Sequence, residues 1–247
     1  MITMERNHEV AFRIGKVSGA GHSDTVGTNL RPLHHGHDLA DTMPGIKALL
    51  TTPAVVKVAS KSAADTSAGT GARTVLLSGL DENGDEQTET VTLNGTTAVT
   101  TVNLWKIVTE VKVTSAGSGG VNAGILWVGT GVFTTGTPAV ALLATDAGVN
   151  ISAFACIAVP NNKRLTIDQV AIFEGDTSKS LKFQFYQYDP DTGLWYEVFD
   201  ILGTKNDIVL PITAKKTLVA GSVIMIRAAI DQGTAQVAGF LSGWLHI

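Results

Sequence analysis

The sequence predicts an all-β protein, in which two β-sandwich, jelly-roll-like regions are preceded by an extended N-terminal arm. Apolar residues recur at every second position over several short stretches, and those stretches are rich in β-branched and aromatic side chains. Gly, Asn, Asp and Pro punctuate them at short intervals, as turn residues do between strands. Helical periodicity is almost absent, so the pattern fits sandwiches or barrels rather than a mixed fold.

Residues 1–45 are expected to form the arm. They hold five of the six histidines and few strand patterns, with room for one short strand. The first sandwich is expected over 46–131. Arg73–Ser78 and Glu89–Leu93 flank Asp81-Glu-Asn-Gly-Asp85, where Asn-Gly supplies the positive φ that a tight turn needs, so 73–93 reads as a hairpin. Asn94-Gly95 starts the next reversal. In Lys106–Val113 the residues Ile107, Thr109, Val111 and Val113 share one face, and Lys106, Glu110 and Lys112 share the other, which describes a half-buried strand. The reversal Ala116-Gly-Ser-Gly-Gly120 and a strand around Ile125–Val128 close this region, and 132–149 is expected as a connector. The second sandwich is expected over 150–247. Leu165–Phe173 and Leu181–Tyr188 read as strands, and the latter forms a hairpin with Leu194–Phe199 across Asp189-Pro-Asp-Thr-Gly193. A last strand runs towards Ile247 with a packed terminus.

The length of 247 residues allows one or two domains with a sizeable core. Only 16% of the residues are charged, against roughly 25% in ordinary soluble domains. With a mean hydropathy of +0.21, much of the surface is expected to meet neighbours. Eighteen Lys and Arg stand against 22 Asp and Glu, a net charge of -4 with no basic block, so nucleic acid is not an expected partner. The N-terminus carries no apolar targeting segment and no stretch suits a membrane-spanning helix, so synthesis in the cytosol without a membrane partner is expected. The lone Cys156 lies in the apolar run Ile151–Val159 and reads as an inert core thiol.

Several groupings invite a chemical reading. His34, His35, His37 and Asp38 are metal-ligand types in a tight cluster, but the stretch reads as a loop, which favours a solvated or interface segment over a native metal site. Asp81, Asn83 and Asp85 alternate like calcium ligands, yet the glycine stands fourth rather than sixth and the loop lies inside a strand pair. Nucleophilic catalysis needs a base near the nucleophile. Five histidines crowd the arm, His246 is next to the last residue, and no nucleophile elbow, phosphate loop or dinucleotide fingerprint occurs. Asp168, Glu174, Asp189, Asp191, Glu197 and Asp200 read more simply as turn and strand-face acids than as a glycosidase pair. Tyr186, Tyr188, Trp195 and Tyr196 flank one turn, where they either recognise a sugar or protein partner or pack across strands. Trp105, Trp127 and Trp244 read as core or subunit-contact residues. No catalytic residue, cofactor or metal is expected.

The stretches Ser60-Lys-Ser-Ala-Ala-Asp-Thr-Ser-Ala-Gly-Thr-Gly-Ala-Arg-Thr-Val75, Ser78-Gly-Leu-Asp81, Glu89–Val99 and Val113-Thr-Ser-Ala-Gly-Ser-Gly-Gly120 resemble a family of tailed-bacteriophage virion structural proteins. The resemblance is specific over about 55–130, weaker over the C-terminal half through Val159-Pro-Asn-Asn-Lys163, and does not cover the arm. It implies a non-enzymatic, β-rich component of the virion, made in the host bacterial cytoplasm. The first expectation is a head decoration or cement protein that binds the major capsid protein or other virion proteins, with His34 to Asp38 in an arm that staples adjacent capsomers. A tail, fibre or receptor-binding component using Tyr186 to Tyr196 on a host glycan is the alternative, followed by a double jelly-roll shell protein. Homo-oligomerisation is expected, as a trimer by analogy.

Overall fold

The computed structural model describes residues 12–14, 24–26, 31–32, 34–35, 49–154, 156–174, 181–204, 208–211, 217–230 and 235–246. Every regular element among them is a strand, and the described ladders are antiparallel. In chain order the strands are β1 (Phe12–Ile14), β2 (Asp24–Val26), β3 (Arg31–Pro32), β4 (His34–His35), β5 (Leu49–Ala54), β6 (Lys57–Ser60) and β7 (Ala72–Asp81). There follow β8 (Glu86–Thr92), β9 (Val99–Thr100), β10 (Trp105–Ala116), β11 (Leu126–Thr134), β12 (Thr137–Thr145), β13 (Ile151–Phe154) and β14 (Cys156–Ala158). The last are β15 (Arg164–Glu174), β16 (Leu181–Asp189), β17 (Leu194–Thr204), β18 (Ile208–Pro211), β19 (Thr217–Leu218), β20 (Val223–Ile230) and β21 (Ala235–His246).

The chain divides into two compact units, one of residues 36–154 and one of residues 1–35 with 155–247. These boundaries differ from the expected ones. The expected connector 132–149 contains β12, which pairs with β11 from Leu126↔Thr145 to Thr134↔Thr137. Its two-residue turn is Thr135-Gly136, with both φ values positive at 46° and 77°. That is the geometry of a tight hairpin whose twist matches its strands, built here with a β-branched residue in place of the usual Asn or Asp. Gly136 is obligatory for a second reason: a Cβ there would stand 2.0 Å from the Ser60 carbonyl oxygen. Residues 151–154, expected in the second region, form β13 and pair with β10 in the first.

Within the unit 36–154, one sheet has the order β13-β10-β7-β8, with β5 also on β10, and the other has the order β12-β11-β6-β9. Val58, Val75, Leu77, Trp105, Ile107, Val111, Leu126, Val128, Leu142 and Leu143 are fully or almost fully buried and make its core. The alternation read over Lys106–Val113 holds for Ile107 and Val111 but changes phase between them. Val108 faces Gly79 and Glu110 faces Ser78, so Thr109 is an extra residue in a β-bulge. Its hydroxyl donates to the Ser78 carbonyl at 3.2 Å, and Val108 is fully buried. Gly79 accommodates the bulge, because a Cβ there would meet the Ile107 carbonyl oxygen at 2.0 Å.

The predicted hairpins form. Asp81 closes the β7–β8 turn by accepting from the Asn83 and Asp85 amides at 2.8 and 2.9 Å through Oδ1, and Gly84 alone there has positive φ. Asp189 plays the same part in the β16–β17 turn, accepting from the Asp191 amide at 2.9 Å.

The unit formed by 1–35 and 155–247 has one sheet with the order β1-β21-β15-β18, where β2 also pairs β21 and β19 pairs β15. Its other sheet has the order β14-β20-β16-β17, with β3 on β20. Leu165, Ile167, Phe185, Leu218 and Ile224 are buried in it. The expected arm is thus in part sheet. Phe12–Ile14 lie opposite Gly239–Leu241, Asp24–Val26 opposite Ala235–Val237, and Arg31–Pro32 opposite Arg227–Ala228. The physical reason is that β20 and β21 would otherwise present unpaired N–H and C=O groups along these stretches.

The long loop from β6 to β7 winds around the carboxylate of Asp65, which is 0% exposed. Oδ1 accepts from the amides of Ala72 and Ala123 at 2.7 and 2.8 Å, and Oδ2 accepts from the Gly124 amide at 2.9 Å and the Ser60 hydroxyl at 2.5 Å. The Asp65 carbonyl accepts from Gly95, whose own carbonyl accepts from Ser60, both at 2.8 Å. A buried carboxylate is tolerated only when hydrogen bonds replace its hydration, and four do so here. Asp65→Ala is expected to orphan three backbone amides and, at ~1–3 kcal/mol each, to lower stability by at least ~3 kcal/mol. Urea unfolding should show this as a drop in midpoint, with Asp65→Asn intermediate or equally severe because its amide nitrogen cannot accept.

Candidate functional site

Two surfaces stand out, one in each unit. In the unit 36–154, β6, β9 and β11 meet at one end of their sheet, where Lys57 pairs with both Thr100 and Gly129. Beyond that end the chain exposes Val55, Val102, Leu104 and Val132, with Val102 88% and Val132 74% accessible. These apolar side chains sit on backbone that is held firmly. The Glu89 carboxylate accepts from the Val102 and Asn103 amides at 2.7 and 3.1 Å, and the Gln87 amide donates to the Leu104 carbonyl at 2.6 Å. The Thr101 hydroxyl accepts from the Val56 amide at 3.0 Å and donates to the Val56 carbonyl at 3.1 Å. On the neighbouring strand Gly131 has a φ of 81°, and its carbonyl accepts from the Lys57 ammonium at 3.1 Å. The result is a set of exposed apolar tips whose conformation is fixed before any partner arrives, which lowers the ordering cost of binding. Sequence reasoning missed this surface, since Val102, Leu104 and Val132 look like ordinary strand residues.

The second surface lies on β16, β17 and β20. Tyr188 faces Trp195 across the ladder, with ring centroids 5.6 Å apart, and Tyr186 stands 6.4 Å from the same indole. The Arg227 guanidinium lies 4.8 Å from the Tyr186 ring centroid, a cation–π contact. Gln184 donates through Nε2 to Oε2 of Glu197 beside them. Three of the four predicted aromatics therefore form one half-buried cluster. Tyr196 pairs with Gln187 and so occupies the opposite face, 44% exposed, with its hydroxyl 3.2 Å from that of Thr192. A one-residue step along a strand reverses the face, which is why four aromatics around one turn do not make a single patch.

The other expected residues fall as follows. His34 and His35 form β4, and their side chains, like His37 and Asp38 altogether, lie outside the described residues. Among the described residues no three His, Cys, Asp or Glu side chains are grouped so as to hold a metal ion. Of the acids weighed as a glycosidase pair, Asp189 caps its turn and Glu197 accepts from Gln184, whereas the side chains of Asp168, Glu174 and Asp200 lie outside the described ones. Trp105 and Trp127 are buried, as expected of core residues.

Cys156 is buried, and desolvation pushes its thiol up from 9.0 to about 12. The thiolate is the nucleophile, so in the native protein at pH 8 Cys156 is expected to resist a disulfide reagent that titrates it fully after denaturation. Above pH 9 the unfolded chain loses this proton while the folded chain keeps it. Folding stability should therefore decline from about pH 9 towards pH 12, and less so in Cys156→Ala. No protein-family model matches the chain, and no curated protein matches it.

Proposed function

We propose that this chain is a non-enzymatic structural protein of a tailed-bacteriophage virion, a head decoration or cement protein built of two jelly-roll-like sandwiches. It binds the major capsid protein on the outer shell and stabilises adjacent capsomers, with the N-terminal segment as part of the attachment. The observation that carries this reading is the rigidly held apolar end at Val55, Val102, Leu104 and Val132. Exposed apolar side chains grouped on an ordered frame suit a partner surface, and here the frame is made by Glu89, Gln87 and Thr101. Two further points agree with it. The resemblance covers about 55–130, which includes Val55, Val102 and Leu104. Asp65, Asp81 and Glu89 bind backbone amides, so their carboxylates serve construction. A subunit that binds only the assembled shell raises shell stability by its own binding free energy.

A second reading, a tail, fibre or receptor-binding component, is favoured by the cluster of Tyr186, Tyr188, Trp195 and Arg227, which offers ring faces and polar groups of the kind that hold sugars.

The experiment is a particle-binding assay with copy number measured by quantitative mass spectrometry against the shell protein. Val102→Asp with Val132→Asp is expected to cut occupancy at least ~10-fold while leaving the melting temperature within a few degrees, as hot-spot substitutions at exposed positions do. Full occupancy by this variant would refute the apolar end as the contact. Binding lost instead in Trp195→Ala, with a handful of copies per particle, would favour the second reading.

A further inference from the structure

Within the unit 36–154, β8 is an outer strand of its sheet, and among the described residues β7 is its one partner. Their ladder runs without a bulge from Leu80↔Glu86 to Thr74↔Thr92. Its phase is fixed at both ends: the Asp81 amide donates to the Asp85 carbonyl and the Leu93 amide to the Arg73 carbonyl, each at 2.9 Å. In an antiparallel ladder, residues that exchange hydrogen bonds alternate with residues that do not. Gln87, Glu89 and Val91 therefore direct their backbone groups to β7, and Glu86, Thr88, Thr90 and Thr92 turn theirs outward. The side chains of these last four are exposed as well. Natural edges are protected by shortness, Pro, a bulge or charge, above all Lys. β8 has seven residues, with no Pro, Lys or bulge. Its two charges are Glu86, at its first position, and Glu89, which is engaged with the Val102 and Asn103 amides. The two edges of the facing sheet differ, since β9 has only two residues and the β12 ladder is interrupted by bulges.

We propose that β8 is the two-fold interface of a homodimer, in which it pairs antiparallel with β8 of a second copy about Thr90. Outward-directed residues must meet outward-directed residues, and the registers that achieve this with the strands well overlapped are centred on Thr88, Glu89 or Thr90. Centring on Glu89 sets the two Glu89 residues directly opposite each other, which is destabilising. Centring on Thr88 brings the acidic turn at 82–85 against the partner strand and limits the ladder to 86–90. Centring on Thr90 pairs 87–93 with 87–93, because Leu93 continues the strand against Arg73. Thr88 then faces Thr92, Thr90 faces Thr90 and Glu89 faces Val91, so the hydrogen-bonded pairs are Thr on Thr and no like charges meet directly. This self-complementarity selects a second copy as the occupant. A two-fold contact also covers both edges at once, whereas a foreign strand added here would present a new edge of its own. Each residue keeps its face across the ladder, so the chain at Val102–Leu104, tied to Gln87 and Glu89, lies on the same side of the joined sheet in both copies. The dimer thus carries two apolar ends on one side.

The test is analytical ultracentrifugation of the full-length chain, joined to amide hydrogen exchange. The unsubstituted protein is expected to form a concentration-dependent dimer, in which the Thr88, Thr90 and Thr92 amides are protected from exchange and in dilute monomer are not. Thr90→Pro removes an amide that β7 does not use. It is expected to weaken the dimer at least ~10-fold, since each copy loses a bond across the axis, while the melting temperature stays within a few degrees. Thr90→Lys and Thr90→Glu each set like charges opposite each other in their own dimers. A mixture of the two, one of them isotope-labelled, is expected to form heterodimers at ~3-fold or more the level of dimer in either alone. Mixing would not rescue a variant that had merely lost its fold. Unsubstituted protein that stays monomeric at ~1 mM, the weak end of specific association, would overturn the proposal. So would an oligomer that survives Thr90→Pro, or dimers lost in Thr90→Lys and Thr90→Glu and not restored on mixing. These measurements concern the isolated chain, so a monomer here, with full particle occupancy by unsubstituted protein, would separate failure of the pairing from failure of the virion assignment.

Discussion

One buried carboxylate organises the unit 36–154. Asp65 lies in a loop of small residues with almost no apolar side chains to anchor it, and a loop of that kind has little reason to hold one shape. The carboxylate gives it one. Its four hydrogen bonds tie the end of β6, the start of β7 and the turn before β11 to a single point, and the Asp65 carbonyl adds the Asn94-Gly95 turn. With the loops fixed at that end, β6 and β7 enter their separate sheets in register. Both oxygens of Asp65 are acceptors for the fold, so the carboxylate works here as architecture.

The strands themselves were legible in the sequence, and the reason is physical. Lys106–Val113, Leu165–Phe173 and Leu181–Tyr188 show the two-residue period of strands, and β10, β15 and β16 lie there. Asp189-Pro-Asp-Thr-Gly193 announced its turn because each residue satisfies a local backbone demand. What escaped was whatever depends on distant partners. The bulge at Thr109 is dictated by the opposing Gly79, some thirty residues away, and nothing within Lys106–Val113 signals it. The β11–β12 hairpin was hidden because Thr135 occupies a left-handed position that Asn would have advertised. The discontinuity of the second unit was invisible for the same reason, since Phe12–Ile14 and Asp24–Val26 carry too few residues to display a period.

The candidate surfaces were less legible than the fold. The aromatic residues were found by composition, but only register decides that Tyr186, Tyr188 and Trp195 share a face and Tyr196 does not. The apolar end was missed because exposure is a tertiary property: Val56 at 0% and Val102 at 88% accessible are the same residue type in opposite circumstances. Glu89 held the clue in retrospect, as an acid within a β-branched strand whose side chain has a backbone amide to satisfy.

The enclosure of one unit within the other also orders events during synthesis. Residues 36–154 have all their described strands in hand once β13 has been made, and the core can close while the rest of the chain is still being assembled. β1 and β2 emerge well before their partner β21, which is translated about 200 residues later, and at ~5–20 residues per second that is a delay of roughly 10–40 s. During that interval two short strand-forming segments have no edge of their own to join. On a polysome, where growing chains crowd together, those segments are born beside the units 36–154 of chains further along. The order of translation thus brings neighbouring copies into reach of each other before either is complete.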